Sequence, residues 1–413
     1  LNLELFIAKR LIRGKEYKSS ISAPIIKIAI TAVALGLIMM LVALATTLGL
    51  KQKIREKVAV FNGHIQIFNY DTNVSNESLV PVSTDQFFYP EFNEVSGITH
   101  IQAVATKSGI IRTEETFEAI LAKGVGTDYD WSAFSEFMVA GRLPKLDANL
   151  NDEVIISRIL ANKLELKVGD KFFSFFLKEG DPSKTPNQRN FEVVGIYDSG
   201  FEEFDAQYLF CDIRHIQRMN KWKKDEVGSF EVFIEDFDQL HQKGNEVYGA
   251  TVSTLDSRTI KDRYAKLFEW IGLFDFNVAI IIGIMIIVAG INMITALLVL
   301  ILERTPMIGI LKAMGSPDWS IRKVFLYNAA YLIGVGLFWG NLIGLLAILG
   351  QHWFRWVKFP NAKDYYMTYI PVAIDPTTWV LLNVGVLVLC TAMMLIPSFI
   401  ITKIKPVKAI KFE

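Results

Sequence analysis

Cysteine is nearly missing from this 413-residue chain. Only Cys211 and Cys390 occur. They fall on what reads as opposite sides of a membrane boundary, so no disulfide framework is legible. Histidine is equally sparse at five, and neither an H-E-x-x-H nor a Cys/His metal spacing is present. No G-x-x-x-x-G-K-[ST] phosphate loop occurs, so the chain is not expected to bind and hydrolyse ATP by itself. No G-x-S-x-G nucleophile elbow occurs either. The formal net charge is zero, with no excess of either sign to draw the chain to nucleic acid. Acidic residues are missing from the middles of the long apolar stretches, which argues against a proton-coupled carrier.

What is there is apolar: 51% of residues are hydrophobic, yet 21% are charged. That mixture fits several membrane spans joined to one large water-exposed domain. The amphipathic N-terminal segment (1–23) contains LELFIAKRLIR at 3–13, which suits a helix at the membrane surface. It is not followed by a signal-type cleavage site. Four spans follow, at 24–50, 269–302, 323–350 and 377–401. The first continues without a breaker into KQKIREKVAV, and the second is preceded by DSRTIKDRYAKLFEW. Both read as stalk helices at the ends of an external domain, 51–268. The remaining pieces are a cytoplasmic connection (303–322), an outer loop (351–376) and a tail (402–413). Thirteen Lys and Arg lie on the side of the termini against ten on the other, counting the stalk roots. This places both termini in the cytoplasm. Asp275, Asn277 and Asn292 are the polar exceptions in the second span, and Asp275 reads as a solvated helix-end charge.

Within the external domain strand-like runs recur at 64–68, 99–105, 116–124, 171–177, 191–197 and 229–235, with helical stretches at 157–166 and 236–248. A strand–helix–strand order closes it at 229–254, giving an α+β domain. Residues 126–224 read as a second lobe inserted into the first. The loop KEGDPSKTPNQRN, 178–190, joins two strand candidates and is too polar to be buried; it is a functional loop or a solvated hairpin turn.

Between the second and third spans lies ERTPMIGILKAMG, Glu303–Gly315. It reads as a short helix with Ile308, Ile310, Leu311 and Met314 on an apolar face and Lys312 among its polar positions, or else as a plain polar connector. In the third span Gly336, Gly340 and Gly344 recur every fourth residue, a flat ridge against which another helix packs closely.

These residues carry a resemblance. ERTPMIGILKAMGSPDWSIRKVFLY resembles the coupling segment of the FtsX/MacB-type ABC permeases, roughly E-R-x-x-E-I-G-x-L-K-A-x-G followed by I-x-x-x-F. Glu303, Arg304, Ile308, Gly309, Leu311, Lys312, Ala313 and Gly315 match, with Ile321 and Phe325 beyond. Met307 stands where the family usually has Glu, which removes one polar contact to an ATPase. The tail KIKPVKAIKFE resembles the same group's ending. Within it, FNGHIQIFN (61–69), GRLP (141–144), DEVIISRILANKLELKVGDKF (152–172) and above all PNQRNFEVVG (186–195) resemble the LolC/LolE-type permeases.

The resemblance implies a polytopic α-helical membrane protein with four spans and a MacB-like, two-lobed α+β periplasmic domain. It implies a dimeric permease of the inner membrane, as a homodimer or a LolC/LolE-type heterodimer. A separate LolD-like ATPase dimer would bind the ATP and Mg, and this chain would carry no cofactor and no catalytic residue. Lipoproteins would pass from the outer leaflet to a LolA-like periplasmic carrier. The carrier would be held by a hook containing Asp181, Pro182, Lys184, Pro186, Gln188 and Arg189. Acyl chains lose about 0.8 kcal/mol per CH₂ on leaving lipid, so extraction needs an apolar cavity. Met39, Met40, Leu44 and Leu48 of the first span and Phe274, Phe276 and Ile280 of the second are the expected lining, against the alternative that they simply face lipid. Two other functions compete: an FtsX-like transducer that activates an external partner without transport, and a MacB-like efflux permease.

Overall fold

The computed structural model describes residues 3–13, 23–72, 77–113, 116–147, 149–178, 185–360 and 367–404. Among the described residues four helices are long and apolar enough to cross a membrane: Pro24–Asn62, Ala265–Glu303, Asp318–Phe354 and Pro376–Lys403. A large α+β domain lies between the first and second. The first helix, Ala23–Asn62, has 40 residues, about 60 Å at 1.5 Å per residue, roughly twice the thickness of a hydrocarbon core. The chain divides into a helical unit (Leu1–Gln52, Trp270–Lys358, Tyr369–Glu413) and a second unit (Lys53–Glu269, Phe359–Thr368).

In the helical unit the apolar core runs through Val33, Leu37, Met40, Met293, Ile333 and Val386, among others. The glycine ridge sets its tightest contact. A Cβ on Gly336 would lie 2.8 Å from Val33, one on Gly340 2.9 Å from Leu37, and one on Gly344 3.0 Å from Leu41. The third long helix thus packs on the first through three consecutive small positions, the arrangement that lets two helices approach closely in lipid. Asn341 and Asn383 exchange amide hydrogen bonds (2.6 and 3.1 Å), and Trp379 Nε1 donates to Asn341 Oδ1 at 2.6 Å, tying the third helix to the fourth. Asp275 keeps 59% of its side chain exposed, as a solvated charge does, and is also ion-paired with Lys51 at 2.7 Å.

Among the described residues the second unit is built on twelve strands: β1 Ile65–Asn69, β2 Val82–Ser83, β3 Ile98–Arg112, β4 Phe117–Val125, β5 Met138–Gly141, β6 Glu153–Ser157, β7 Lys171–Phe176, β8 Asn187–Tyr197, β9 Tyr208–Asp212, β10 Glu226–Val227, β11 Ser229–Ile234 and β12 Leu255–Thr259. Ten of them form one sheet in the order β12-β1-β11-β3-β4-β9-β6-β8-β5. β7 pairs with both β3 and β8, so β3, β4, β9, β6, β8 and β7 close into a ring around buried Phe172, Phe176 and Phe191. The strands of 126–224 are continuous with the rest through the β4–β9 and β3–β7 pairs. At the other edge, β11, the helix Leu240–Ala250 and β12 form a split β–α–β with β1 antiparallel between the two strands. The last strand, expected at 250–254, lies at Leu255–Thr259 because the helix runs on to Ala250.

Candidate functional site

The connection between the second and third long helices is a nine-residue helix, Thr305–Ala313. Pro306 sets its start: proline has no N–H for an i−4 carbonyl and clashes with it in a helix interior, so the preceding helix ends at Glu303. The Thr305 hydroxyl donates to the Leu302 carbonyl at 2.8 Å. The far end is a Schellman motif. Ser316 N–H donates to Leu311 O and Gly315 N–H to Lys312 O, both at 3.0 Å, with Gly315 at φ +85° where a side chain would be strained. Pro317 then stops the chain from continuing as helix.

This helix does not have the single apolar face expected from Ile308, Ile310, Leu311 and Met314. At 3.6 residues per turn, positions two apart lie on opposite sides. Ile308 is fully buried, and Met307 and Leu311 pack against the same core. Ile310 is 51% and Met314 70% exposed; with Leu302, Pro306 and Ala313 they form an outward apolar ridge. Met307, where the resemblance leads one to expect Glu, therefore faces the core, and its apolar character fits that place. Glu303 is exposed, Arg304 half-buried and Gly309 buried.

Lys312 also departs from expectation. Its Nζ donates to the carbonyls of Ile401 (2.7 Å) and Ile404 (3.0 Å) and pairs with Asp318 Oδ1 at 2.8 Å. These carbonyls belong to the C-terminal end of the fourth long helix, which carries the negative end of the helix dipole. Beside it Arg322 Nε donates to Ser398 Oγ at 3.0 Å, and its guanidinium lies 3.8 Å from the centre of the Phe399 ring. The N-terminal helix Leu3–Arg13 joins this cluster, with Glu4 Oε1 accepting from Ser320 Oγ at 3.1 Å. Two basic residues thus fasten the short helix and the start of the third helix to the end of the fourth. Nothing in the spacing of the sequence pairs Lys312 with Ile401 or Arg322 with Ser398; only the fold does.

A second lysine cap lies in the other unit. The first long helix ends at Asn62, and Gly63 follows at φ +67°. Three of its last carbonyls are taken: Ala59 O by Gly63 N–H (2.7 Å), Val60 O by Tyr129 Oη (3.2 Å) and Phe61 O by Lys123 Nζ (2.7 Å). Lys123 is wholly buried and also pairs with Glu231 at 2.6 Å, whose other oxygen accepts from Gln102 at 2.9 Å. Burial pulls the Lys123 pKa down, and Glu231 opposes this. The Phe61 ring sits among Phe134, Phe137, Tyr197, Phe204, Tyr208 and Phe210, at centroid distances of 4.8 to 6.1 Å. The end of this helix is thus a plug in an aromatic core.

The hook expectation is only partly visible. Asp181, Pro182 and Lys184 lie outside the described residues. Pro186 precedes β8, and Gln188 and Arg189 lie within it, paired with Phe175 and Ser174 of β7. Beside it is an open cleft of about 900 Å³ lined by Arg112, Lys163, Lys171, Phe173 and Phe175. Phe117, Phe173 and Leu177 are 72%, 49% and 61% exposed on the same region.

The seven residues expected to line one cavity are not brought together. Met40 is fully buried in the helical core. Leu44 and Leu48 border a pocket of about 20 Å³ with Leu345, Ile348, Ile374 and Trp379, enough for one small group. Met39, Phe276 and Ile280 are exposed, at 54%, 66% and 45%, and Phe274 is half-buried with its ring edge-on to Trp270 at 5.0 Å. Among the described residues no cluster suited to a metal ion occurs.

A family model described as MacB-like periplasmic core domain matches residues 28–246, and one described as FtsX-like permease C-terminal matches 279–406. The chain is 21% identical over 425 aligned residues to the "Lipoprotein-releasing system transmembrane protein LolC" of Haemophilus influenzae, covering 100% of this chain and 99% of that protein. It is 23% identical to the LolC of Neisseria meningitidis serogroup B, covering 100% of each. To the LolE of Haemophilus influenzae it is 18% identical, covering 99% of each. The order of parts is that of a LolC/LolE-type permease from one end to the other.

Proposed function

For a chain that belongs to the family with a MacB-like periplasmic core domain, carrying an FtsX-like permease half behind it, we propose the role of permease subunit in lipoprotein release. In this reading it sits in the inner membrane of a Gram-negative bacterium with both termini in the cytoplasm. Two permease chains, alike or of LolC and LolE type, enclose the substrate path. A LolD-like ATPase dimer binds ATP and Mg and pushes on the helix Thr305–Ala313. Lipoproteins leave the outer leaflet and pass to a LolA-like carrier that docks at Pro186, Gln188 and Arg189, beside the β7–β8 pair.

The observation that carries this reading is the outward ridge of Leu302, Pro306, Ile310 and Met314 on a chain without a phosphate loop of its own. Large apolar side chains on a short helix with a fixed start and stop are what a partner's groove accepts. Its inward side, through Ile308 and Lys312, holds the helix to the rest of the unit, so a push on the ridge is passed on rather than absorbed.

Depletion in a Gram-negative host followed by membrane fractionation tests the function. Lipoproteins accumulating in the inner membrane are the expected result. Normal lipoprotein sorting with failed cell separation would replace this reading by the FtsX-like transducer. Normal sorting with increased sensitivity to exported small molecules would replace it by MacB-like efflux. For the ridge, Ile310→Asp is expected to leave the protein in the membrane and abolish stimulation of the ATPase by substrate; unchanged stimulation would remove the docking role.

A further inference from the structure

The third long helix is free of Asp, Glu, Lys and Arg for 31 residues, Val324–Phe354. At 1.5 Å per residue this is about 46 Å, well beyond the ~30 Å hydrocarbon core and close to the ~40–45 Å of a bilayer with its headgroup layers. Its outer end therefore falls at headgroup level, and there the chain makes a tight turn, His352–Lys358. The turn is rigid. Gln351, buried, donates to the carbonyls of Val357 and Ile370 and accepts from Val357 N–H, all at 2.9 Å. Arg355 takes φ +52° to end the helix, and Lys358 bridges to Tyr369. The Trp356 ring lies on Gly350, where a Cβ would approach it to 3.0 Å.

On this satisfied backbone the side chains point outward. Trp353, Phe354, Trp356 and Val357 are 72%, 66%, 64% and 52% exposed, and Phe354 stacks on Trp356 at 5.5 Å. His352, Arg355 and Lys358 are exposed among them, with the Arg355 guanidinium 4.3 Å from the Tyr369 ring. Water is a poor surrounding for the four apolar groups, and hydrocarbon is a poor one for the two permanent cations. The interfacial layer suits both: indole rings favour it, and its phosphates accept from Arg and Lys. Trp270 and Trp379, near the external ends of the second and fourth helices, add two indoles to the same kind of position.

We propose that His352–Lys358 is a lipid anchor. Trp353, Phe354 and Trp356 enter the outer-leaflet interface at the level of the glycerol backbone, and Arg355 and Lys358 bind lipid phosphates. The anchor fixes the depth of the outer end of the third helix, which carries the glycine ridge against the first, whatever the substrate is.

The full-length protein in vesicles of phosphatidylethanolamine and phosphatidylglycerol tests this. Tryptophan emission is compared between the wild type and W353F/W356F, using lipids brominated near the headgroup or near the chain middle, and aqueous iodide. The difference signal is expected to be quenched about twofold more by the shallow bromines than by the deep ones, and little by iodide, as interfacial indoles require. Three results would overturn the proposal: strong iodide quenching without bromolipid quenching, stronger quenching by the deep bromines, or quenching by neither, which means a protein surface covers the rings. For the phosphate contacts, R355Q/K358Q is expected to lower the fraction of motionally restricted spin-labelled phosphatidylglycerol relative to phosphatidylcholine. An unchanged ratio would overturn that part.

Discussion

Two lysines cap two helix ends in this chain, and they do so in opposite surroundings. Lys123 is wholly buried, meets the last turn of the first long helix at Phe61 O and is held by Glu231. Lys312 keeps a tenth of its side chain exposed, meets the end of the fourth at Ile401 and Ile404, and is held by Asp318, whose side chain is 45% exposed. Each cap is accompanied by a left-handed glycine at the end of a helix, Gly63 and Gly315. The same chemistry therefore serves two purposes. In the sealed case every group must be present or a charge is stranded, so the helix end cannot leave its seat without disrupting the domain. In the open case water can replace a lost partner, so losing one group costs less. The first is an anchorage and the second a water-accessible joint.

The sharpest way to break this contrast is to remove the two lysines separately. Lys123→Met leaves Glu231 buried without its cation and should cost about 3–5 kcal/mol of stability in the soluble domain. Lys123→Met with Glu231→Met should recover part of that loss, since no charge is then stranded. Thermal unfolding of the three proteins measures this; an equal loss in the single and double variants would mean that Glu231 is not stranded. Second in size is Gly63→Ala. It combines the cost of a left-handed conformation with a Cβ only 2.8 Å from that of Glu231, so about 2–4 kcal/mol is expected. A loss below that of Gly315→Ala would contradict the sealed packing.

Lys312→Met should cost less, about 1–2 kcal/mol, because water reaches the vacated carbonyls. Its main effect should appear elsewhere: ATP hydrolysis by the reconstituted complex continues while lipoprotein release falls. If release and melting temperature are both unchanged, the joint between the short helix and the fourth helix has no part in coupling. Gly315→Ala has open space around its new methyl and only the φ of +85° to strain it, so about 1 kcal/mol is expected.

Much of this architecture is legible in the sequence because its signals are local. Uncharged runs of more than twenty residues mark the spans, and runs such as HIQIF at 64–68 alternate as a half-buried strand must. The Gly336, Gly340 and Gly344 ridge is visible from spacing alone. What escapes is whatever depends on residues far apart in the chain. β3 is long enough to pair with β11 along 98–104 and with β7 along 109–112, while β4 pairs with it from Val104 to Arg112; this closes the ring, and no local pattern specifies that closure. The inward face of the short helix escapes for a different reason: Ile308 and Ile310 are equally apolar, and only their angular separation tells them apart. Lys312 and Lys123 look like any surface lysine until the carbonyls they cap are brought to them.

The smallest effect is one of pH, and it belongs to the anchored side alone. His64 follows Gly63 and is half-buried, its Nδ1 accepting from Ile234 N–H at 3.0 Å, and desolvation lowers its pKa to about 4. Its contribution to stability is therefore present above its ordinary value of 6.5 and lost as pH falls through about 4. Asp205 runs the other way. Burial raises its pKa to about 6, with repulsion from Asp198 adding to this against the hydrogen bonds from Ser199 and Gly200. Its contribution is present below 3.8 and lost as pH rises through about 6. Between pH 7 and 5 the two slopes oppose each other, and the domain's stability should change little. Asp205→Asn removes one slope and keeps the side-chain acceptor for Ser199, so that variant should lose stability progressively as the solution is acidified from pH 7 to 5. Chemical unfolding at several pH values measures it. A flat profile in Asp205→Asn would mean that His64 does not resist protonation, and that the seat behind Gly63 is less sealed than that of Lys123.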